Sequence, residues 1–301
     1  MNVLGIGEVL WDVFPSQEHL GGAALNFCAN VQRLGGRATL ISGVGNDDRG
    51  HRAIEAMRAL GLDTRCIQTV SGVPTGIAIV QSDENGEPAF HITRPAAFDR
   101  IKADTLSVCT ASLTVDWIYF GTLLQTEKGA EAHIANLMRD FPDARSFYDV
   151  NLRKEHWNFD LVQRLSRICD VLKLNLGEAK TLAALSGTPH AEFVLTEFCD
   201  QWSSTYSIDT ICITLGSEGC LIYNNTRLNQ VKGFSVSVHD TVGAGDAFAA
   251  AFLHGYHLGW PVDKMARFAN AAGAIVASRP GATPEWTLSD CEQIAPHIRF
   301  V

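Results

Sequence analysis

Short apolar runs rich in β-branched residues alternate along this chain with amphipathic segments, several of which end at glycine. The runs that predict strands are residues 3–7, 38–44, 117–120, 146–150, 171–174 and 210–215, and the helical patterns are residues 25–34, 51–60, 130–140, 247–257 and 263–278. Strands that alternate with helices indicate parallel pairing, with crossover helices on both faces of one sheet. The pattern therefore predicts an α/β fold with a mainly parallel central sheet.

One section interrupts this alternation. Residues 75–81 and 88–93 are two β-like runs with no helical pattern between them, and the connection contains Asn85-Gly86, a strong turn signal. This indicates an antiparallel hairpin, and residues 11–20 form another irregular excursion. A small β-lid over the open sheet, formed by about residues 11–20 and 73–98, would explain both segments. A plain surface hairpin is equally compatible with the pattern.

The chain has 301 residues and a net charge of −9, which suits one domain over residues 1–301. The acidic balance argues against a nucleic-acid partner, which usually requires a basic stripe. No apolar stretch approaches the ~20 residues of a membrane span, and no basic region precedes the first strand. We therefore expect a cytoplasmic protein that does not bind nucleic acid or membranes.

The cysteines are scattered and form no C-x-x-C pair, and most lie in apolar runs. This usage predicts reduced core residues rather than disulfides or metal ligands. The eight positions are Cys28, Cys66, Cys109, Cys169, Cys199, Cys212, Cys220 and Cys291.

The segment of residues 239–248 carries the clearest chemistry. Strand-like residues 234–238 precede it and an Ala-rich helix follows, so Gly243-Ala244-Gly245 should lie at a helix start. Free N–H groups and the helix dipole favour an anion there, such as a phosphoryl group in transfer. Asp246 beside such an anion hole is suited to accept a proton from an attacking hydroxyl. The structural alternative is that Asp246 only caps the helix.

This segment, from Asp240 to Asp246, resembles the C-terminal signature of the ribokinase-type (PfkB) carbohydrate kinase family. Residues 21–26, with Ala29 and residues 34–36, are similar to the family's N-terminal signature. The two stretches lie in the expected order, so the resemblance covers essentially the whole chain. It implies a three-layer ribokinase-like sandwich with a small β-lid, and phosphorylation of a sugar by ATP.

The resemblance assigns the catalytic and ionic roles at the C-terminal signature. Asp246 would be the base, and the amides of Gly243, Ala244 and Gly245 would form the anion hole. A monovalent cation, usually potassium, would be held by Asp240, Thr241 and the loop of residues 278–282, which includes Gly281. Without the family, Asp240 could be a simple Asx-turn residue.

The resemblance also assigns the sugar site. Asp12 and Asn26 match residues that contact sugar hydroxyls, and Gly21-Gly22 would let the sugar approach the backbone. A carboxylate such as Asp12 can accept two hydrogen bonds from a vicinal diol. Arg94 and Phe98, just past the predicted hairpin, are expected to close on the sugar. The alternatives are a solvated loop acid for Asp12 and an ordinary first-turn residue for Asn26.

The nucleotide and magnesium assignments come from the remaining loops. Asn175 and Glu178 resemble a motif that places phosphate and Mg²⁺ through waters, although the same spacing fits a helix cap. Arg153 follows a predicted strand and could reach the transferring phosphate. The expected ATP contacts beyond Asn175 are Thr214, Gly216, Ser217, Gly219 and, near the adenine, Asn270, for which helix packing is an alternative.

Two departures refine the expected substrate. Leu10 stands where ribose kinases typically have Asn, and Ala23 stands where kinases of phosphorylated sugars often have Lys. These departures disfavour ribose and a phosphorylated substrate, and the stretches from Gly7 to Asp12 and from Asp149 to Arg153 together resemble fructokinases, which favours a free ketohexose such as fructose. Ribose, a nucleoside or a sugar acid remains an alternative substrate, and a non-catalytic sensor remains an alternative function. A dinucleotide oxidoreductase is a further alternative, which is disfavoured because no G-x-G-x-x-G follows the first strand. An exposed β-lid would also offer a surface for a homodimer.

Overall fold

The computed structural model describes residues 1–82, 88–127, 129–296 and 298–300. Its strands are β1 (Asn2–Ile6), β2 (Leu10–Val13), β3 (Glu18–Gly21), β4 (Arg37–Gly45), β5 (Ile67–Val70), β6 (Gly76–Ser82), β7 (Pro88–Ile92), β8 (Trp117–Gly121), β9 (Arg145–Asp149), β10 (Val171–Asn175), β11 (Thr210–Thr214), β12 (Cys220–Asn224) and β13 (Arg227–Val231). Its helices are α1 (Ala23–Arg33), α2 (Asp48–Ala59), α3 (Ala103–Thr110), α4 (Thr122–Gln125), α5 (Glu131–Asp140), α6 (Phe159–Ser166), α7 (Leu176–Leu185), α8 (Leu195–Tyr206), α9 (Ala244–His257), α10 (Val262–Ala277) and α11 (Leu288–Ile294).

The central sheet has nine strands in the order β13-β12-β11-β10-β9-β8-β1-β4-β5. Every neighbouring pair from β11 to β5 is parallel. At the other edge of the sheet, β12 pairs antiparallel with both β11 and β13. The predicted α/β fold with a mainly parallel sheet is therefore confirmed. Because the parallel strands end at the same edge, the loops that follow them meet there, where open α/β sheets bind ligands.

Two hydrophobic cores cover the two faces of this sheet. Tyr119 and Phe147 face the core that contains α1, α9 and α10, and Phe120 and Tyr148 face the core that contains α5 to α8. Successive residues alternate between the cores because side chains alternate across a strand. Phe27 on α1 stacks on Tyr119 with ring centroids 3.7 Å apart, which fixes α1 against the sheet next to the predicted sugar site.

A second, four-stranded sheet has the order β3-β2-β6-β7. β2 pairs antiparallel with β3 and parallel with β6, and β6 pairs antiparallel with β7. This sheet is the predicted β-lid, and it combines both segments that interrupted the α/β pattern. The Asn85-Gly86 turn signal falls outside the described residues.

Two boundaries around the C-terminal signature differ from the prediction. Residues 234–238 form no strand in the described part of the chain, although their pattern is strand-like. They run beyond edge strand β13 and line a cavity instead of pairing. Helix α9 begins at Ala244 rather than at Ala247, so Ala244, Gly245 and Asp246 are its first three residues.

The cysteine prediction is correct for six residues and wrong for two. Cys66 and Cys109, whose Cα atoms are 5.5 Å apart, form a disulfide across 43 positions of sequence. The other six cysteines are free and buried. The pair escaped the sequence pattern because only the tertiary fold brings the β4–β5 connection next to α3. None of the helices in the described ranges is long and apolar enough to cross a membrane.

Candidate active site

The N-terminus of α9 forms a concave turn at the C-terminal edge of the sheet. Gly243 caps the helix with φ 77°, and a Cβ on it would lie 2.0 Å from the carbonyl oxygen of Ala282. The Ala244 amide donates to the Thr241 carbonyl at 3.3 Å. The Gly243 and Gly245 amides have no acceptor among the described residues. These two free N–H groups therefore provide the donors that an anion hole requires.

Asp246 lies in the first turn of α9 and is 8% exposed. The Asn26 amide group donates a 2.8 Å hydrogen bond to its carboxylate, so α1 and α9 fix it together. Burial, and next the negative charge of Asp149, raise the pKa of Asp246 to about 7, against the opposing effects of Asn26, Lys173 and Arg153. A carboxylate with a pKa near 7 is suited to exchange protons at neutral pH.

A cavity of about 210 Å³ opens beside Asp246 under the β-lid. It brings together half of the predicted sugar site, the C-terminal signature and other residues to which the sequence analysis assigned no role in binding. Its lining includes Asp12, Gly22, Asn26, Arg153, Thr241, Gly243, Gly245 and Asp246 from the predicted set, and Glu8, Leu10, Ala23, Ala78, Ile92, Asn151 and Val242 besides. Gly21 is not in the lining, but a Cβ on it would lie 2.6 Å from Asp12 Oδ2.

Glu8 and Asn151 are the polar lining residues to which the sequence analysis assigned no role of their own. Glu8 is buried just past the end of β1, and its Oε1 accepts a 2.9 Å hydrogen bond from the Ala23 amide. Burial raises the pKa of Glu8, and it also raises the pKa of Asp12 to about 6. Asn151 has a left-handed backbone (φ 42°), and its buried Nδ2 has no partner among the described residues. Their location after β1 and β9 was the available signal, because ligands bind at such strand ends.

Arg94 and Phe98 do not lie in this cavity, which corrects the expectation that they close on the sugar. Phe98 is fully buried in the core below the lid. The Arg94 guanidinium donates to the Asp99 carboxylate at 3.1 Å and to the Leu123 carbonyl at 3.1 Å. Both side chains therefore fasten the end of the lid to the main body.

A second cavity, of about 320 Å³, lies on the other side of the α9 N-terminus. Five predicted ATP-binding residues line it, namely Thr214, Gly216, Ser217, Gly219 and Asn270. The Asn270 amide group also donates to the Val231 and Lys232 carbonyls at 3.2 and 3.1 Å, so Asn270 also holds α10 against the end of β13. Thr241 and Gly245 line both cavities, which therefore meet at the anion hole.

Asn175 and Glu178 lie outside both linings and form a reciprocal helix cap at the start of α7. Glu178 Oε2 accepts from the Asn175 amide and Oε1 from the Leu152 amide, each at 2.8 Å. The described residues contain no cluster of three or more His, Cys, Asp or Glu side chains that could hold a metal ion. The side-chain oxygens of Asn175 and Glu178 suit a Mg²⁺ ion whose main ligands are water and phosphate oxygens.

The predicted cation loops abut each other behind the anion hole. The amides of His239 and Asp240 both donate to the Ala277 carbonyl, at 2.8 and 3.2 Å. Asp240 Oδ1 accepts from the Val242 amide at 3.0 Å, which is the Asx-type bond that the sequence left as an alternative. Gly281 lies in the facing loop with φ 81°.

Known proteins with the same architecture match this chain along nearly its full length. Fructokinase-1 of Zea mays is 28% identical over 94% of this chain and 93% of its own. The aminoimidazole riboside kinase of Salmonella typhimurium is 26% identical over 92% and 89%. The crystal structure of a Xylella fastidiosa fructokinase with bound ATP superposes with a TM-score of 0.86 at 23% identity, covering 97% of both chains. Residues 7–288 match the model of the pfkB family of carbohydrate kinases, and this chain belongs to that family.

Proposed function

We propose that this carbohydrate kinase transfers the γ-phosphoryl group of ATP to a hydroxyl of a small free sugar, a ketohexose such as fructose. One observation carries the proposal: the cavities on the two sides of the α9 N-terminus share Gly245, and Asp246 faces the smaller one. A sugar on one side and a nucleotide on the other would therefore meet at the anion hole. The similarity to the maize fructokinase supports the ketohexose.

The charges in the smaller cavity favour a neutral acceptor. Its lining carries three carboxylates, on Glu8, Asp12 and Asp246, against the single guanidinium of Arg153. A sugar acid or sugar phosphate would bring an anion into this negative field, whereas a polyol donates hydrogen bonds to carboxylates. The described lining also contains no aromatic side chain on which a nucleobase could stack. These features support a free sugar over an acid or a nucleoside.

The proposed reaction begins with the sugar held by Asp12 and Asn26. Asn26 donates to Asp246, and its buried Oδ1 has no partner among the described residues, so it is available to a sugar hydroxyl. Asp246 accepts the proton of the attacking hydroxyl, whose oxygen forms a bond to the γ-phosphorus as the bond to the ADP oxygen breaks. The Gly243 and Gly245 amides stabilise the negative charge on the transferring group.

Other parts of the site assist by charge and by exclusion of water. Arg153 lines the acceptor cavity and supplies a positive charge near the transferring group. Mg²⁺, when bound through Asn175 and Glu178, would neutralise phosphate charge. A monovalent cation between the loops of Asp240 and Gly281 would add to the positive field at the anion hole. Leu10, Ala78 and Ile92 of the lid exclude water from the acceptor, which limits hydrolysis of ATP.

The test is an ADP-release assay on the purified protein over ketohexoses, aldohexoses, pentoses, sugar acids and nucleosides. We expect the highest kcat/KM with fructose and little ADP release without an acceptor. A higher kcat/KM with a nucleoside or a sugar acid would contradict the proposed acceptor but leave the kinase chemistry intact. Equal ADP release with and without every acceptor would contradict the proposal as a whole.

A further inference from the structure

A buried ion pair lies directly beneath the anion hole. Lys173 Nζ is 2.8 and 3.0 Å from the two carboxylate oxygens of Asp149, and both side chains are almost fully buried. The parallel strands β9 and β10 hold the two residues in register. Tyr119 on β8 donates a 3.1 Å hydrogen bond to the same carboxylate. Lys173 Nζ lies 3.7 Å from the position that a Cβ on Gly245 would take, so the ammonium group lies next to that glycine.

An ammonium group in this position is costly for folding alone. A buried ion pair often contributes no more to stability than well-packed apolar side chains do. The N-terminus of α9 is also the positive end of the helix dipole, which disfavours a neighbouring cation. The Asp149 carboxylate holds the ammonium group of Lys173 at 2.8 and 3.0 Å, a geometry that pairs two opposite charges. The lysine is therefore charged, and it lies between the carboxylate of Asp149 and the first turn of α9.

We propose that Lys173 is a positioning residue for phosphoryl transfer, held by Asp149 so that its fixed positive charge favours the ionised form of Asp246 and the negative charge at the anion hole. Lys173 lines neither substrate cavity, but its ammonium group lies next to Gly245, which lines both. This inference rests on the proposed role of Asp246 as the base.

The loss of Lys173 and the loss of Asp149 should change the pKa of Asp246 in opposite directions. Its charged and polar neighbours come from five parts of the fold, namely Asn26 on α1, Tyr119 on β8, Asp149 on β9, Arg153 in the loop after β9 and Lys173 on β10. Lys173 lowers the pKa of Asp246, and Asp149 raises it. Loss of the lysine charge should therefore move the pKa upward, and loss of the aspartate charge should move it downward.

The experiment measures kcat/KM against pH for Lys173→Met, Asp149→Asn and the double variant. We expect the acid limb to move up by about one pH unit in Lys173→Met and down by a similar amount in Asp149→Asn. The double variant should lie close to the wild type, since both charges are removed together. Ionisation of the nucleotide itself is common to all variants and does not produce opposite shifts.

Two further variants separate charge from packing. Lys173→Arg keeps the positive charge and should retain the wild-type acid limb even if its rate is lower. Cys212→Ala changes the packing beside Lys173 on the neighbouring strand β11 without a change in charge, and its acid limb should not move. If Lys173→Met does not fold, Asp149→Asn still tests the inference, since a merely structural pair predicts no downward shift of its acid limb.

An unshifted acid limb in Lys173→Met and Asp149→Asn, with lower rates in both, would overturn the positioning role and leave a structural one. The Asp246→Asn variant distinguishes this failure from that of the proposed function. If Asp246→Asn has lost turnover while the limb is unshifted, only the inference about Lys173 is wrong. If Asp246→Asn retains turnover, the base assignment is wrong and the role of Lys173 is lost with it.

Discussion

The side-chain amide of Asn26 donates a 2.8 Å hydrogen bond to the carboxylate of Asp246, across 220 positions of sequence. This bond links the two signature segments of the family at one atom pair. It leaves Oδ1 of Asn26 buried and without a partner among the described residues. Asn26 is thus placed to hold the base with one side of its amide and a substrate hydroxyl with the other.

Asn26→Ala should reduce kcat/KM for the sugar by roughly 10–100-fold, because a hydrogen bond to a charged group contributes about 1.5–3 kcal/mol. The acid limb of the pH profile should also move upward, since this hydrogen bond lowers the pKa of Asp246. Steady-state kinetics at several pH values measure both effects. Asn270→Ala is the matched control, because that residue lines the nucleotide cavity and should change KM for ATP instead. Equal effects of both variants on the sugar would contradict the assignment.

Asp246→Asn should bind ATP and sugar with little change and lose turnover by about 10²–10⁴-fold, since the carboxamide cannot accept the hydroxyl proton. Calorimetric titration gives the two affinities, and a coupled assay gives the rate. Asp12→Asn is the comparison, because Asp12 lines the same cavity and should act mainly on sugar affinity. Wild-type turnover in Asp246→Asn would show that another group is the base.

The pH dependence of the reaction follows from the pKa of Asp246, which burial raises to about 7. The base must be ionised to act, so kcat/KM should be constant above this pH and fall about tenfold for each pH unit below it. The acid limb should be absent from the residual activity of Asp246→Asn. A profile that is flat down to pH 5 would mean that the base has an ordinary carboxyl pKa or that another step limits the rate.

The same pKa predicts a cost in stability. The native state holds a proton on Asp246 between about pH 4 and 7 that the unfolded chain has released, so stability is lost as the pH rises toward and through 7. Asp246→Asn removes this cost and should stabilise the protein at pH 8, by up to about 4 kcal/mol, with little effect at pH 4. Denaturant unfolding at the two pH values measures the difference. An equal change in stability at both would indicate altered packing rather than removal of a buried charge.

The local pattern was sufficient to predict much of the fold and part of the site. The predicted strand of residues 171–174 and the helix of residues 25–34 match β10 and α1 within two residues, because apolar periodicity reports which face is buried. The Gly-Ala-Gly-Asp run and the reciprocal cap of Asn175 and Glu178 depend on neighbours in sequence, so their geometry could also be predicted.

Features that depend on distant contacts could not be predicted in this way. Glu8 and Lys173 lie in or beside apolar runs, and only the assembled sheet brings them near Asp246. Arg94 follows the lid strand, so proximity suggested a sugar contact, but an ion pair with Asp99 holds it elsewhere. Residues 234–238 have a strand pattern without a neighbouring strand, and a strand requires a partner for its backbone groups.

Gly243→Ala tests the anion hole itself. The substitution requires a left-handed backbone at φ 77° and places a methyl group 2.0 Å from the Ala282 carbonyl oxygen, so the helix start and the facing loop must separate. The backbone conformation alone costs about 1–3 kcal/mol. Gly259→Ala is the control, because Gly259 also has a positive φ of 67° but has no atom within 4 Å of an added Cβ. We expect both variants to lower the thermal midpoint and only Gly243→Ala to abolish turnover. A Gly243→Ala enzyme with the kcat of Gly259→Ala would mean that the amides at the start of α9 do not stabilise the transferring phosphoryl group.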